Sequence, residues 1–265
     1  MSEQTVLLRE QKGEVLWLTL NRPEQLNALN PELVTELRQT FESLRRDHAV
    51  RVVVLRANGK AFCAGLDLND ATWSGKPSAN EMLEFQRSIS DIYRAMRQCP
   101  QPIISLVQGA ACGGGFSLAL ASDIRISADT AKMNAAYIKA GLTACDMACS
   151  YLLPKLVGLS VASELMMTGR FINAERALRV NLVSEVVPED QLDQAAEGFI
   201  EDLLSTSPMG LRLTKDGLNV SVDAASLEAA MALEDRQQSL VAMTEDAQEA
   251  VSAFLEKRKP AWKDR

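Results

Sequence analysis

Two glycine-containing turns carry the first chemical signal in this 265-residue sequence. One runs Gly59-Lys60-Ala61-Phe62-Cys63-Ala64-Gly65-Leu66-Asp67-Leu68, after the apolar run Val52-Val53-Val54-Leu55. The other runs Gly109-Ala110-Ala111-Cys112-Gly113-Gly114-Gly115-Phe116-Ser117, after Ile103-Ile104-Ser105-Leu106-Val107. Three consecutive glycines ahead of an apolar helix let a ligand approach the backbone closely. They also leave the first N–H groups of the helix free to donate. Such a place suits an anion or a developing oxyanion. A tight strand-to-helix turn without a ligand is the other reading of the same residues. The run is neither GxGxxG nor a Walker A loop, so neither style of nucleotide-phosphate cradle is expected.

Nucleophilic and metal chemistry are thinly supplied. Histidine occurs once, as His48 within Arg45-Arg46-Asp47-His48, and reads as a surface residue. A Ser-His-Asp or Cys-His site would need it. The cysteines are Cys63, Cys99, Cys112, Cys145 and Cys149. Odd in number and without CxxC spacing, they read as free thiols in a reducing compartment. A His/Cys zinc site lacks ligands, and no metal or separate cofactor is expected. Lys and Arg total 28 against 35 Asp and Glu, a net charge of −7. That argues against nucleic acid, which needs a basic face, but leaves room for a local basic pocket.

The elements that position these turns follow from pattern. Hydrophobic residues make up 47% and charged residues 24%, an ordinary globular balance. At about 150 residues per domain the length implies one large domain, or one with an appendage. Val15-Leu16-Trp17-Leu18-Thr19-Leu20, residues 52–55, 103–107, 124–126 and 183–187 read as strands. Asn30-Pro31 opens a helix with Leu33, Leu37, Phe41 and Leu44 on one face. Met82, Phe85, Ile89, Ile92 and Met96 form a second helical stripe. Strands separated by helices predict an α/β fold with parallel pairing. After Pro188 four helices are predicted, over residues 191–204, 208–218, 224–240 and 245–257. The chain therefore divides into a core at 1–190, which carries the site, and a C-terminal helical region at 191–265. Residues 103–122 contain no charge, yet their glycines fit a strand–turn–helix better than a membrane span. Met1-Ser2-Glu3-Gln4 lacks the basic start of a signal peptide. A soluble, cytoplasmic protein that engages no membrane is expected.

Taken in order, the segments resemble the crotonase (enoyl-CoA hydratase/isomerase) superfamily. The matching pieces are Leu20-Asn21-Arg22-Pro23 with Asn27-Ala28-Leu29, then Ala61-Phe62-Cys63-Ala64-Gly65-Leu66-Asp67-Leu68. Gly109 to Gly115 follows, with Ala121-Ser122-Asp123, Gly141-Leu142 and Leu152-Leu153-Pro154-Lys155-Leu156-Val157-Gly158. Glu164 to Arg170, Asn181-Leu182-Val183 and Phe254 to Pro260 complete the set. The resemblance implies a crotonase-like spiral of ββα units with a C-terminal helical trimerisation region, in homotrimers or homohexamers. It implies an acyl-CoA substrate, with coenzyme A as part of that substrate. The thioester oxygen would sit between the backbone N–H groups of Leu66 and Gly114. Ala64, Gly65 and Gly113 would line the binding turns. Arg22, and Lys257 from a neighbouring chain, are the expected cations for the CoA portion.

Departures from the pattern bear on the reaction. Family hydratases carry glutamates at the positions held here by Ser117 and Tyr137. Syn addition of water needs groups to activate the water and protonate the α-carbon, and neither residue serves as a base near neutral pH. Some relatives, dienoyl-CoA isomerases and chlorobenzoyl-CoA dehalogenase among them, place a working aspartate in the loop that holds Asp146. This chain carries one extra residue between Tyr137 and Asp146. A helix-capping or solvated Asp is the other reading. Asp67, which in relatives often orders the turn, is a second candidate. The resemblance thus implies a thioester-enolate enzyme with Asp146 as acid/base. Double-bond isomerisation or a non-standard hydration fits it. Thioester hydrolysis, or a poorly catalytic acyl-CoA-binding protein, are the alternatives.

Overall fold

The structure is a computed structural model and describes residues 5–69 and 77–265. Residues 1–4, read above as lacking a leader's basic start, lie outside the described residues.

The described residues form a six-stranded sheet and a three-stranded sheet. β1 (Leu7–Lys12) and β2 (Val15–Leu20) make a hairpin, and β3 (Val52–Ala57), β4 (Ile103–Val107), β6 (Ile124–Ala128) and β9 (Glu185–Val187) follow in parallel. Every residue of β2 and β4 is buried, which is why both read as unbroken apolar runs. β1 was not anticipated from sequence. It is an edge strand with Arg9, Glu10 and Lys12 facing solvent, and charge of that kind blunts an open edge.

The small sheet holds β5 (Ala110–Cys112), β7 (Lys132–Asn134) and β8 (Ile172–Asn173). Single bridges extend it: Cys63 pairs with Ala111, and Leu29 with Leu66. The chain therefore repeats one move. It gives a long strand to the large sheet and a short extended piece to the small one, then enters a helix: α1 (Pro31–Leu44), α2 (Ala79–Gln98), α3 (Gly114–Ala121), α4 (Cys149–Thr168). This is the expected spiral of ββα units. The uncharged residues 103–122 resolve into β4, β5 and α3. Among the described residues no helix is long and apolar enough to cross a membrane.

Local chemistry sets the helix ends. The Asn30 side chain accepts from Leu33 N–H with Pro31 in the first turn, as predicted. Ser78 and Glu81 form a capping box ahead of α2. The predicted α2 stripe is buried only in its second half: Ile89, Ile92 and Met96 are covered, with Tyr93 beside them, while Phe85 is half-buried and Met82 exposed. α5 (Ala174–Arg179) leads to β9, and then come α6 (Leu192–Leu204), α7 (Pro208–Ser221), α8 (Leu227–Ala242) and α9 (Glu245–Glu256). α6 buries Leu192, Ala196 and Ile200 against β3, β4 and β6. The first helix beyond residue 190 thus covers the large sheet and is part of the core.

Candidate active site

The spiral brings the two glycine turns face to face. Leu29 N–H donates to the Gly65 carbonyl (2.7 Å), and Asp67 N–H to the Leu29 carbonyl (3.1 Å). Alternation along an extended segment then turns the Leu66 N–H away from Leu29. Ala64 is held by its own N–H on Leu26 O (3.0 Å). Gly65 has φ +96°, and a Cβ there would lie 2.9 Å from the Cys112 carbonyl oxygen and 3.6 Å from Gly114 N. Only glycine permits this conformation and this approach. Across the contact, Gly113 N–H donates to Asn134 O (3.0 Å), and α3 starts at Gly114 with Ser117 N–H as its first donor back to Gly113 O. Among the described residues, neither Leu66 N–H nor Gly114 N–H makes a hydrogen bond. Two free amide donors therefore lie on touching turns, one of them at a helix N-terminus, where an oxyanion is favoured.

Arg22 was expected to reach the CoA portion. Its guanidinium instead pairs with Asp67 (2.9 Å) and bonds the Ala28 carbonyl, with both charged side chains largely buried. The Arg22 charge is thus neutralised inside the fold, where it pins the segment before α1 to the turn that carries Leu66. Asn27, missed as a site residue, does related work. It is fully buried in the left-handed region, accepts from Arg22 N–H (2.8 Å), and donates to Asn58 O (2.8 Å) and Ala61 O (2.9 Å). An asparagine tolerates that backbone, and its amide closes the bracket around the first glycine turn.

Ser117 and Tyr137, which the resemblance sets at glutamate positions, are buried and bonded to each other at 2.6 Å. Burial pushes the Tyr137 phenol well above its ordinary range, so the pair is neutral near pH 7 and lacks a base.

Asp146 lies ahead of α4, half-buried. Its Oδ1 accepts from Met147 N–H (2.7 Å) and from the Gln86 side-chain amide. Burial raises the carboxyl above the ordinary aspartate value, and these two hydrogen bonds oppose the rise. The loop is tied to the oxyanion turn through Met147. The Tyr93 hydroxyl donates to Gly114 O (3.0 Å) and lies 3.3 Å from Met147 Sδ. Asp146, Tyr93 and Tyr137 are close enough to interact electrostatically. Gln86, Tyr93 and Met147 were not read as site residues from sequence. Tyr93 and Gln86 fall among the apolar residues of α2, where the helical stripe gives the stronger signal.

The remaining candidates lie elsewhere or are inert. His48 is exposed and contacts Asp264. All five cysteines are free, and burial lifts Cys63 and Cys149 to about 12 each, so neither is a thiolate. Lys257 is exposed at the left-handed C-cap of α9.

Comparison with known proteins gives a consistent family. The profile for enoyl-CoA hydratase/isomerase matches residues 10–265. A "probable enoyl-CoA hydratase" of Mycobacterium bovis is 38% identical over 98% of this chain and 93% of its own length. The 1,2-epoxyphenylacetyl-CoA isomerase of Escherichia coli is 35% identical over 96% of this chain and 97% of its own. A crystal structure of an enoyl-CoA hydratase from Bacillus anthracis superposes with a TM-score of 0.92 at 30% identity, covering 98% of this chain and 100% of that one. With the facing glycine turns and the ββα spiral, these matches establish that the chain belongs to the enoyl-CoA hydratase/isomerase family of the crotonase superfamily.

Proposed function

We propose that this protein shifts the double bond of an enoyl-CoA through a thioester enolate, with Asp146 carrying the proton. The carboxylate takes a proton from Cα of a 3-enoyl-CoA. The electron pair moves onto the thioester oxygen, which the Leu66 and Gly114 N–H groups stabilise. The Asp146 carboxylic acid then returns the proton at Cγ, giving the 2-enoyl-CoA. One base suffices, no water is consumed, and atoms balance. The observation that carries this reading is the contrast between the two carboxyl positions. The glutamate places hold a closed, neutral Ser117–Tyr137 pair, while Asp146 is joined to the oxyanion turn through Met147 and Tyr93. The isomerase relative at 35% identity supports it.

Hydration by Asp146 alone is the second reading, favoured by the hydratase names of other relatives. Hydrolysis of the thioester would need Asp146 as nucleophile or water base without a partnering histidine. The CoA portion is held mainly by backbone around residues 64–66, with Lys257 of a neighbouring chain as cation. The five free thiols fit a reducing, cytoplasmic setting. Incubation with 3-hexenoyl-CoA and with trans-2-hexenoyl-CoA tests the reaction. Interconversion of the two without 3-hydroxyhexanoyl-CoA is expected; accumulation of the hydroxyacyl product as the main species would favour hydration.

A further inference from the structure

Asp146 is held asymmetrically. Both donors that reach its carboxyl converge on Oδ1: the N–H of Met147, its own neighbour in the chain, and the amide of Gln86, sixty residues earlier on α2. Oδ2 has no hydrogen bond among the described residues. A carboxylate only accepts, so the Gln86 group facing it is the NH2 and not the carbonyl oxygen. Met147 and Ala148 both have positive φ, 46° and 63°, in the tight turn that follows Asp146. The Met147 N–H fixes one direction at Oδ1, and Gln86, the second donor there, fixes how the carboxyl plane is turned about it.

Resting on the reading of Asp146 as proton carrier, we infer that Gln86 is its positioning residue, holding Oδ1 occupied so that Oδ2 alone accepts and returns the substrate proton. A proton on Oδ1 would have to displace one of two donors. A proton on Oδ2 disturbs neither, so the Gln86 contact persists through both halves of the reaction. The amide is suited to this because it is neutral. A lysine or arginine in its place would stabilise the carboxylate strongly and blunt it as a base.

The surroundings make Gln86 visible in a pH profile. Among the described residues, the titratable groups that interact electrostatically with Asp146 are Tyr93 from α2, Tyr137 from the short helix Ala136–Ala140, and Cys149 from α4. Burial raises all three, so they are uncharged through the acidic and neutral range. What opposes the burial of the Asp146 charge is the Met147 N–H and Gln86. Loss of Gln86 therefore raises the Asp146 pKa, and activity, which needs the carboxylate, falls away at a higher pH on the acid side.

The test is the pH–rate profile for isomerisation of 3-hexenoyl-CoA by the full-length protein. In Gln86→Leu the acid limb is expected to move up by about one pH unit, the worth of one hydrogen bond to a charged group, with KM little changed. In Gln86→Met, which keeps the length of the side chain and removes the donor, the limb moves up by a similar amount. Should Gln86→Leu fail to fold by near-ultraviolet circular dichroism, Gln86→Met, of matching length and without a donor, carries the test. An unmoved acid limb in a folded variant overturns the inference. Asp146→Asn run in parallel separates the two ideas. Wild-type activity in Asp146→Asn would remove the proton carrier itself. An inactive Asp146→Asn beside unmoved Gln86 variants would remove the role of Gln86 alone.

Discussion

Tyr137 and Ser117 decide what Asp146 has to do alone. Each hydroxyl is the other's buried partner, so removing one strands the other. Tyr137→Phe should therefore cost about 1–3 kcal/mol of stability, the penalty for an unsatisfied buried polar group, while isomerisation stays within a few-fold. The double variant Ser117→Ala/Tyr137→Phe should recover most of that loss, because both ends of the bond are gone. Denaturant midpoints check both, and a hundred-fold rate loss in Tyr137→Phe would instead put the phenol in the proton path. Asp146 responds in the opposite way. Burial raises its folded-state pKa, so ionisation opposes folding once pH rises above the ordinary aspartate range. Asp146→Asn removes that charge and should leave the melting temperature at pH 7 unchanged or higher; a clear fall would contradict an ionisation that opposes folding. Leu66, Gly114 and Asp146 were legible in sequence as candidates, named by residue types at positions matched through the resemblance. Gln86 was not, since its partner is sixty residues away and its neighbours on α2 spell a core stripe.

At the scale of elements, the site depends on two pins. The Arg22–Asp67 pair fixes the segment before α1 to the turn that carries Leu66, and it is nearly shielded from water. Arg22→Ala leaves the Asp67 charge without its partner and should destabilise the fold by about 2–3 kcal/mol, somewhat less than for a fully buried pair. If the pin is its role, CoA affinity should keep its salt dependence in that variant; a loss of salt dependence would return Arg22 to the phosphates. The second pin is the start of α3. A Cβ at Gly114 would lie 2.8 Å from Leu29 Cδ1 and 3.1 Å from both Met147 Sδ and the Tyr93 hydroxyl. Gly114→Ala adds that crowding and keeps the N–H, while Gly114→Pro adds it and removes the N–H. The isomerisation rate of the proline variant should be lower than that of the alanine variant by about 10²–10³, the usual worth of one oxyanion donor. Equal rates would make the glycine run a turn and nothing more. The long elements were legible because a six-residue buried strand or a capped helix repeats its signal. β5, β7 and β8 have two or three residues each, too few for a period to register, and tertiary pairing makes them strands.

The whole molecule leaves its C-terminal helices only partly covered. Among the described residues α8 buries none of its side chains. Leu227, Met231 and Leu240 are exposed there, as are Met243 just beyond it and Val251, Phe254 and Leu255 on α9. Apolar surface on that scale is suited to self-association. The mass in solution should be a multiple of three chains, and Phe254→Lys/Leu255→Lys should shift it toward one; a single-chain mass for the unmutated protein at micromolar concentration would contradict this. The helices themselves were legible from their period. That α6 belongs to the core and α8 does not was not, because sequence marks an apolar face without naming what covers it. The central claim, that the assembled protein makes a thioester enolate and moves its proton through Asp146, is tested most directly by deuterium uptake. Trans-2-hexenoyl-CoA is incubated with enzyme in D2O, and label at Cα and Cγ is read by mass spectrometry for wild type and Asp146→Asn. Wild type should incorporate deuterium, and Asp146→Asn should do so slower by about 10²–10⁴ with acyl-CoA affinity within a few-fold. Uptake at the wild-type rate in Asp146→Asn, or neither uptake nor isomerisation by wild type, would contradict it.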